Sequence, residues 1–379
     1  NGYYVAKVEE MLRKESKRKF ALLMHSGSHA ITMAIKAHGL SHNDEVIIPN
    51  YSCPATLSSV ALAGVKPVFC EIDQFGMMDT SKLPDCLSEN TRAILATGLY
   101  GDSHDHDGTK TFCDTNNLIY INDAAQSQFA EYNGTDSLEL GDTVCMSFAD
   151  NKCIPTAGTY GALLTDDEEY YETIRTLRKN GKASRLEKYA SAGYSSHPEE
   201  DKAVQILASA NHFRSWIERR REIGAMYEEA FKGVIETRPS PKYSRWNGHK
   251  YAVFFNDKFK AHKDLLSLGV DTEQHYPDNF SKLDWIKSNL TDTTMTDKFV
   301  QKSLTLPNNA HMTDKEVSVV IDVVTQYQKN NSRWSFDGSS ESSYLSKRIR
   351  VSNGMSDSNT LLVLKSSSVQ YVTFFNLSP

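Results

Sequence analysis

Residues 118–123 read Leu-Ile-Tyr-Ile-Asn-Asp, a short apolar run that ends on an acid. A run of this length predicts a buried strand, and Asp123 at its end predicts a carboxylate at the carboxyl edge of a parallel sheet. Similar runs, separated by segments with helical spacing, recur at residues 45–48, 66–71, 93–97, 143–148 and 161–165. This alternation predicts a three-layer α/β fold in which helices cover a mainly parallel sheet.

The length of the chain predicts more than one domain. At 379 residues it exceeds what a single hydrophobic core usually organises. We assign residues 1–235 to a large domain and residues 236–330 to a smaller α/β domain, because strand and helix patterns alternate again in the second range. Residues 331–379 are Ser-rich with β-type runs, which predicts a β-rich tail or an appended module.

The composition argues against several classes of partner. A formal net charge of -6 leaves no broad basic surface for nucleic acid. No run approaches the roughly 20 apolar residues that a membrane-spanning helix needs. The six cysteines are scattered without a C-x-x-C pair, which is typical of reduced thiols. We therefore expect a soluble cytoplasmic protein, with a targeting peptide as an open alternative.

Two further segments carry candidate chemistry. Lys152 follows the predicted strand at residues 143–148 and precedes a Gly-containing turn, so its amine could face the same crevice as Asp123. Ser26, Gly27 and Ser28 open a helical segment, and the N-terminus of a helix favours an anion. Ordinary interpretations remain, because Asp123 could cap a following helix and Lys152 could be a solvated loop lysine.

Three strings occur together in the chain: Ser-Gly-Ser-His-Ala at residues 26–30, Asp-Ala-Ala-Gln at residues 123–126 and Ser-Phe-Ala-Asp-Asn-Lys at residues 147–152. With further short strings between residues 2 and 328, they make the chain resemble the sugar aminotransferases of the DegT/DnrJ/EryC1/StrS family. The resemblance implies a large domain of the aspartate aminotransferase type, called fold type I, and pyridoxal 5′-phosphate as cofactor. It also implies a homodimer that moves an amino group from an amino acid, glutamate in our leading hypothesis, to a keto-sugar that is often nucleotide-linked.

The same resemblance implies a role for each site residue. Lys152 would carry the cofactor covalently and, once released, would move protons during the reaction. Asp123 would pair with the protonated ring nitrogen, and Gln126 would lie against the ring near its phenolic oxygen. The phosphate would be held by three small residues: Gly27, Ser28 and Ser147.

The chain departs from the family pattern at several positions. Cys53 stands where the family usually stacks an aromatic residue on the cofactor ring, and Tyr51 is a candidate to compensate. Thr159 replaces a glutamate in the turn after the lysine, and Gly98 replaces a histidine. Ser195 falls where an asparagine of the partner subunit usually reaches the phosphate. These changes leave Lys152, Asp123 and Gln126 in place and predict a divergent member of the family, in which the substrate and the level of activity stay open.

Four other residues are weaker candidates. His275 and Tyr276 lie where related chains bring the small domain near the substrate, although a structural histidine fits His275 as well. His104 and His106 form an H-x-H pair in an acid-rich segment, for which solvated loop residues are the better interpretation. We therefore predict no metal site.

Three alternatives to the aminotransferase hypothesis remain. A protein that keeps the fold for sensing or scaffolding would explain the departures at Cys53, Thr159 and Ser195. A family offshoot that dehydrates or otherwise modifies a sugar on the same cofactor usually replaces the lysine with histidine, so Lys152 argues against it. A dinucleotide-binding dehydrogenase is disfavoured because no G-x-G-x-x-G follows the first strand.

Overall fold

The computed structural model describes residues 2–182 and 188–334. The predicted β-type runs of the C-terminal tail lie outside the described residues. The last described helix continues to Trp334, beyond the boundary that we placed after residue 330.

The described strands are short and distributed along the whole chain. In chain order they are β1 (Phe20–Met24), β2 (Glu45–Pro49), β3 (Lys66–Cys70), β4 (Thr91–Thr97), β5 (Ile119–Asp123), β6 (Glu131–Tyr132), β7 (Thr135–Asp136), β8 (Thr143–Ser147), β9 (Gly161–Thr165), β10 (Glu236–Thr237), β11 (Ser244–Arg245), β12 (Tyr251–Phe254) and β13 (Ser303–Leu306).

The described helices separate most of these strands. They are α1 (Tyr3–Ser16), α2 (Gly27–Ala37), α3 (Pro54–Ala63), α4 (Leu83–Cys86), α5 (His106–Asn116), α6 (Glu168–Leu177), α7 (Glu200–Ala210), α8 (Phe213–Phe231), α9 (Lys258–Ser267), α10 (Thr294–Lys302) and α11 (Asp314–Trp334). None of them is both long and apolar enough to cross a membrane within the described ranges.

A seven-stranded sheet forms the centre of the molecule, in the order β1-β9-β8-β5-β4-β2-β3. Strand β9 runs antiparallel to β1 and β8, while the pairs from β8 to β3 are parallel. The predicted mainly parallel α/β fold is therefore confirmed. Our sequence interpretation missed β1, because five consecutive apolar residues directly after a helical pattern carry no period that identifies a strand.

Side chains alternate between two apolar layers on the faces of this sheet. Along β1, Leu22 and Met24 join the core cluster that includes α2, whereas Ala21 and Leu23 join the cluster that includes α1. Both faces of a strand are buried in this way only when helices cover both sides of the sheet. The result is a three-layer arrangement with the carboxyl ends of β4, β5 and β8 at one edge.

A second sheet, β10-β12-β13, is antiparallel and has its own apolar core. Its core takes Val253 and Leu304 from the sheet, Tyr227 from α8, Leu265 from α9 and Val317 from α11. Separate cores are what a large and a small domain require. Our boundary at residue 235 stays a prediction.

Candidate active site

Asp123 is the last residue of β5, and its side chain is buried at the carboxyl edge of the sheet. One carboxylate oxygen accepts the Ala125 N–H at 3.1 Å and the other accepts the Thr56 hydroxyl at 3.2 Å. A turn follows the strand, so the alternative in which Asp123 caps a helix is wrong. Burial raises the pKa of Asp123, while the Ala125 N–H and the positive charge of Lys152 oppose that rise.

Lys152 lies in the turn that follows β8, where its backbone N–H donates to the Ala149 carbonyl at 2.9 Å. The residue keeps some contact with solvent, yet enough protein surrounds the amine that lost hydration lowers the pKa of Lys152. A lowered pKa increases the fraction of neutral amine, which is the nucleophilic form. The solvated loop lysine is therefore a poor description of this residue.

The structure brings Lys152, Asp123 and Cys53 together. The Asp123 carboxylate and the Cys53 side chain both lie near enough to influence the pKa of Lys152 and the pKa of Tyr276. Cys53 reaches this position because it is the N-cap residue of α3. An amine, a carboxylate and a thiol from the large domain thus lie near the Tyr276 hydroxyl, although Tyr276 is far from all three in sequence.

A small cradle lies beside this pocket, at the N-terminus of α2. The Ser26 hydroxyl caps the helix by accepting the His29 N–H at 3.0 Å. Gly27 faces Ser147, and a Cβ at Gly27 would lie only 3.0 Å from the Ser147 Cβ. Within the described residues, the backbone N–H groups of Gly27 and Ser28 have no hydrogen-bond partner. Two free N–H groups on a helix N-terminus suit an anion such as phosphate.

Gln126 connects the turn after Asp123 with the buried tyrosines Tyr100 and Tyr276. Its amide nitrogen donates to the Tyr276 hydroxyl at 2.6 Å, and its amide oxygen accepts the Tyr100 N–H at 3.1 Å. Gln126 itself lies in the turn that follows β5. Both ends of its amide are therefore fixed by buried protein partners.

Tyr51 and His275 belong to a buried network next to Gln126. Tyr51 follows β2 in a bend, and its hydroxyl lies 2.7 Å from the Tyr100 hydroxyl and accepts the Tyr276 N–H at 2.5 Å. The His275 ring lies 2.9 Å from the Thr305 hydroxyl, and burial lowers the pKa of His275 to about 3, so it is neutral near pH 7.

Three sequence candidates contribute no buried side chain to this site. Ser195 is exposed and pairs with Lys179 in an isolated bridge, and Thr159 is exposed in its turn. Gly98 has no room for a histidine, because its Cβ would lie 2.3 Å from the Ser127 hydroxyl.

His104 and His106 are buried and not solvated, which corrects our interpretation. The Nε2 atom of His104 lies 2.6 Å from the Tyr120 hydroxyl, which also contacts His106. Among the residues that the structure describes, no group of three or more His, Cys, Asp or Glu side chains could hold a metal ion.

Sequence reasoning missed Thr56, Tyr100 and Lys250. Lys250 is buried, lies 3.2 Å from Glu273, and its charge acts on the His275 pKa. These residues belong to no motif that we quoted as catalytic, and their contacts depend on segments far apart in sequence.

This geometry defines a class of protein: an α/β enzyme that can hold an anionic aromatic cofactor between a lysine and a buried carboxylate. Comparison with known proteins identifies the family. The model of the DegT/DnrJ/EryC1/StrS aminotransferase family matches residues 1–325, so the chain belongs to this family.

Individual relatives are similar over most of their length. A pleiotropic regulatory protein from Geobacillus stearothermophilus is 28% identical, with 87% of this chain and 90% of the relative covered. A UDP-2-acetamido-2-deoxy-3-oxo-D-glucuronate aminotransferase from Pseudomonas aeruginosa is 27% identical, with 86% and 90% covered. The crystal structure of DesV from S. venezuelae has a TM-score of 0.83 at 25% identity and covers 87% of this chain and 90% of its own.

Pyridoxal 5′-phosphate is the cofactor of this aminotransferase, and the residues of the site fit it. The free N–H groups of Gly27 and Ser28 match a phosphate, and the side-chain-free face of Gly27 leaves space beside Ser147. Lys152 offers an amine with a lowered pKa, and Asp123 offers a buried carboxylate for a ring cation.

Proposed function

We propose that this chain transfers an amino group from an amino acid, glutamate, to a keto-sugar that is carried on a nucleotide. The observation that carries the proposal is that Lys152 and Asp123 follow neighbouring strands, β8 and β5, and lie close enough for each charge to act on the pKa of the other. The substrate class is supported by relatives named as transaminases of UDP- and dTDP-linked sugars.

The cofactor supplies an electron sink when it is bound, and the protein supplies position and protons. We assign two roles to Lys152: its amine holds the cofactor, and the freed Nζ moves the proton at the substrate carbon. Asp123 holds a proton on the ring nitrogen, because a buried carboxylate is stabilised by an adjacent cation. Gly27, Ser28 and Ser147 bind the phosphate.

The remaining residues position these groups. Gln126 ties Tyr276 to the turn after Asp123, and the Tyr51 hydroxyl holds the backbone at Tyr276. Together they place the segment around His275 next to the pocket, where we assign His275 and Tyr276 to the substrate. Cys53 contributes a smaller wall than an aromatic ring would.

We further propose a cytoplasmic homodimer in which Ser195 approaches the partner's cofactor phosphate. The exposure of Ser195 leaves it available for such a contact, and the six free cysteines are compatible with a reducing compartment. Light scattering on the purified protein measures the oligomeric state, and a monomer at micromolar concentration would contradict the dimer.

Absorbance spectroscopy tests the function. Protein mixed with pyridoxal 5′-phosphate should show the visible band of lysine-bound cofactor, which Lys152→Ala should lose and the exposed control Lys17→Ala should keep. Added glutamate should then convert the bound cofactor to its amine form. A protein that binds the cofactor and does not convert it would instead be the sensing or scaffolding alternative, and a colourless wild type would end the proposal.

A further inference from the structure

A second cavity, of about 470 Å³, borders the loop that carries Lys152. Asn151 and Thr156 of that loop line it, together with α7, α8 and the segments around residues 249–250 and 308–311. None of the cofactor-binding residues proposed above belongs to its described lining. The cavity therefore adjoins the active site, with which it shares Lys250, but its described lining contains no residue that we assign to the cofactor.

Arg220 of α8 gives this cavity a buried positive charge. The residue is only 8% exposed, and its Nε and Nη1 atoms have no hydrogen-bond partner among the described residues. No described Asp or Glu forms an ion pair with it. A buried guanidinium without an acid or an acceptor is costly, so this arrangement favours an anion that comes from outside the fold.

Other polar groups of the lining also lack partners. His249 is 5% exposed and both of its ring nitrogens are without hydrogen bonds in the described chain. The side-chain oxygens of Asn151 and Asn308 are buried acceptors without donors. The lining thus offers donors that lack an acceptor and acceptors that lack a donor, which matches a ligand that carries both an anionic group and hydroxyl groups.

The other charged residues of the lining do not neutralise the positive charge of Arg220. Lys250 pairs with Glu273 at 3.2 Å, and Asp150, the only carboxylate of the described lining, is exposed. Trp216 adds an aromatic wall, and its ring lies 5.8 Å from that of His311.

We propose that this cavity binds a small hydroxylated anion, with its phosphate or carboxylate group at Arg220 and His249 and its hydroxyl groups at Asn151 and Asn308. The unpartnered atoms of Arg220, His249, Asn151 and Asn308 are covered by neighbouring protein atoms in the structure. Ligand binding therefore requires these side chains to turn toward the cavity. The site requires neither the proposed amino transfer nor its substrates.

Calorimetric titration of the cofactor-loaded protein tests the site with two probes, glycerol 3-phosphate and gluconate. Saturation with cofactor keeps the probes away from the α2 N-terminus. Arg220→Met removes the charge, and Ala208→Trp fills the cavity from an exposed position on α7 that lines it. Arg214→Met, an exposed arginine of α8 paired with Glu15, is the matched control.

We expect binding of at least one probe to weaken about tenfold or more in Arg220→Met and in Ala208→Trp, and to stay unchanged in Arg214→Met. The tighter probe identifies the anionic group as phosphate or carboxylate. If Arg220→Met fails to fold, Ala208→Trp alone decides the question. Absence of binding in the wild type, or equal binding in Ala208→Trp, would overturn the proposal.

Discussion

The loop that carries Lys152 borders two buried polar regions, and they differ in how their charges are balanced. In the candidate active site, Lys152 and Asp123 act on each other, and the Asp123 oxygens have protein donors. In the second cavity, Arg220 has neither an acid nor an acceptor among the described residues. In the first region the protein itself supplies both a positive and a negative group, which can position a cofactor that carries both charges. In the second region the positive charge of Arg220 has no counter-charge from the described part of the protein, so an anion from outside the fold would stabilise it.

The largest effect is expected from Lys152→Ala. Loss of the amine removes both the attachment of the cofactor and the proton carrier, so amino transfer should fall by at least about 10⁴-fold. Single-turnover conversion of the bound cofactor with glutamate measures this. Because Arg220 belongs to the second region, Arg220→Met should retain most of the transfer, and an active Lys152→Ala protein would remove the distinction between the regions.

Asp123→Asn should have the next largest effect. The amide keeps the shape and can still accept the Ala125 N–H, but it cannot stabilise a ring cation, so kcat should fall by about 10²-fold or more. The visible band of bound cofactor should persist. Steady-state kinetics with saturating cofactor measure the loss, and a kcat within a factor of about two of the wild type would show that the charge is unimportant.

Gly27→Val tests the cradle at the α2 N-terminus. The added side chain would meet Ser147, so affinity for pyridoxal 5′-phosphate should fall about tenfold or more, while Lys36→Ala on the same helix should not change it. Fluorescence titration of the cofactor provides the measurement. Unchanged affinity would mean that the phosphate lies elsewhere.

Tyr276→Phe should have a smaller effect. It removes the hydroxyl that accepts from Gln126, a loss of about 1 kcal/mol or a factor of about five in the affinity for the amino-acid or sugar substrate. Determination of KM and kcat separates this positioning effect from chemistry. If Tyr276→Phe changes only the affinity for the cofactor, the assignment of Tyr276 to the substrate would be wrong.

Lys250, which borders both regions, provides the pH test with the smallest effect. Burial lowers the pKa of Lys250 to about 8, so between that value and its usual pKa the folded state binds fewer protons than the unfolded state. This group therefore makes stability rise with pH across that window and lowers it as pH falls toward about 8. Lys250→Met should flatten the dependence of Tm on pH there, and an unchanged slope would contradict the burial of a charge.

Much of this arrangement follows from local sequence. The run before Asp123 and the run before Lys152 predict neighbouring strand ends, and the Ser26 cap predicts the start of α2. The burial of His104 and His106 was not predictable, because their acid-rich neighbours suggest a loop and Tyr120 is supplied by another element. The same holds for Arg220, since the absence of a partner is a property of the packed fold.

The nitrogen chemical shift of bound pyridoxal 5′-phosphate, labelled with ¹⁵N in its ring, tests the central claim most directly. If Lys152 and Asp123 meet the two ends of the cofactor, the ring nitrogen should be protonated in the wild type and unprotonated in Asp123→Asn at the same pH. The same shift in both proteins would show that Asp123 does not contact the ring, and the account of the site would be wrong.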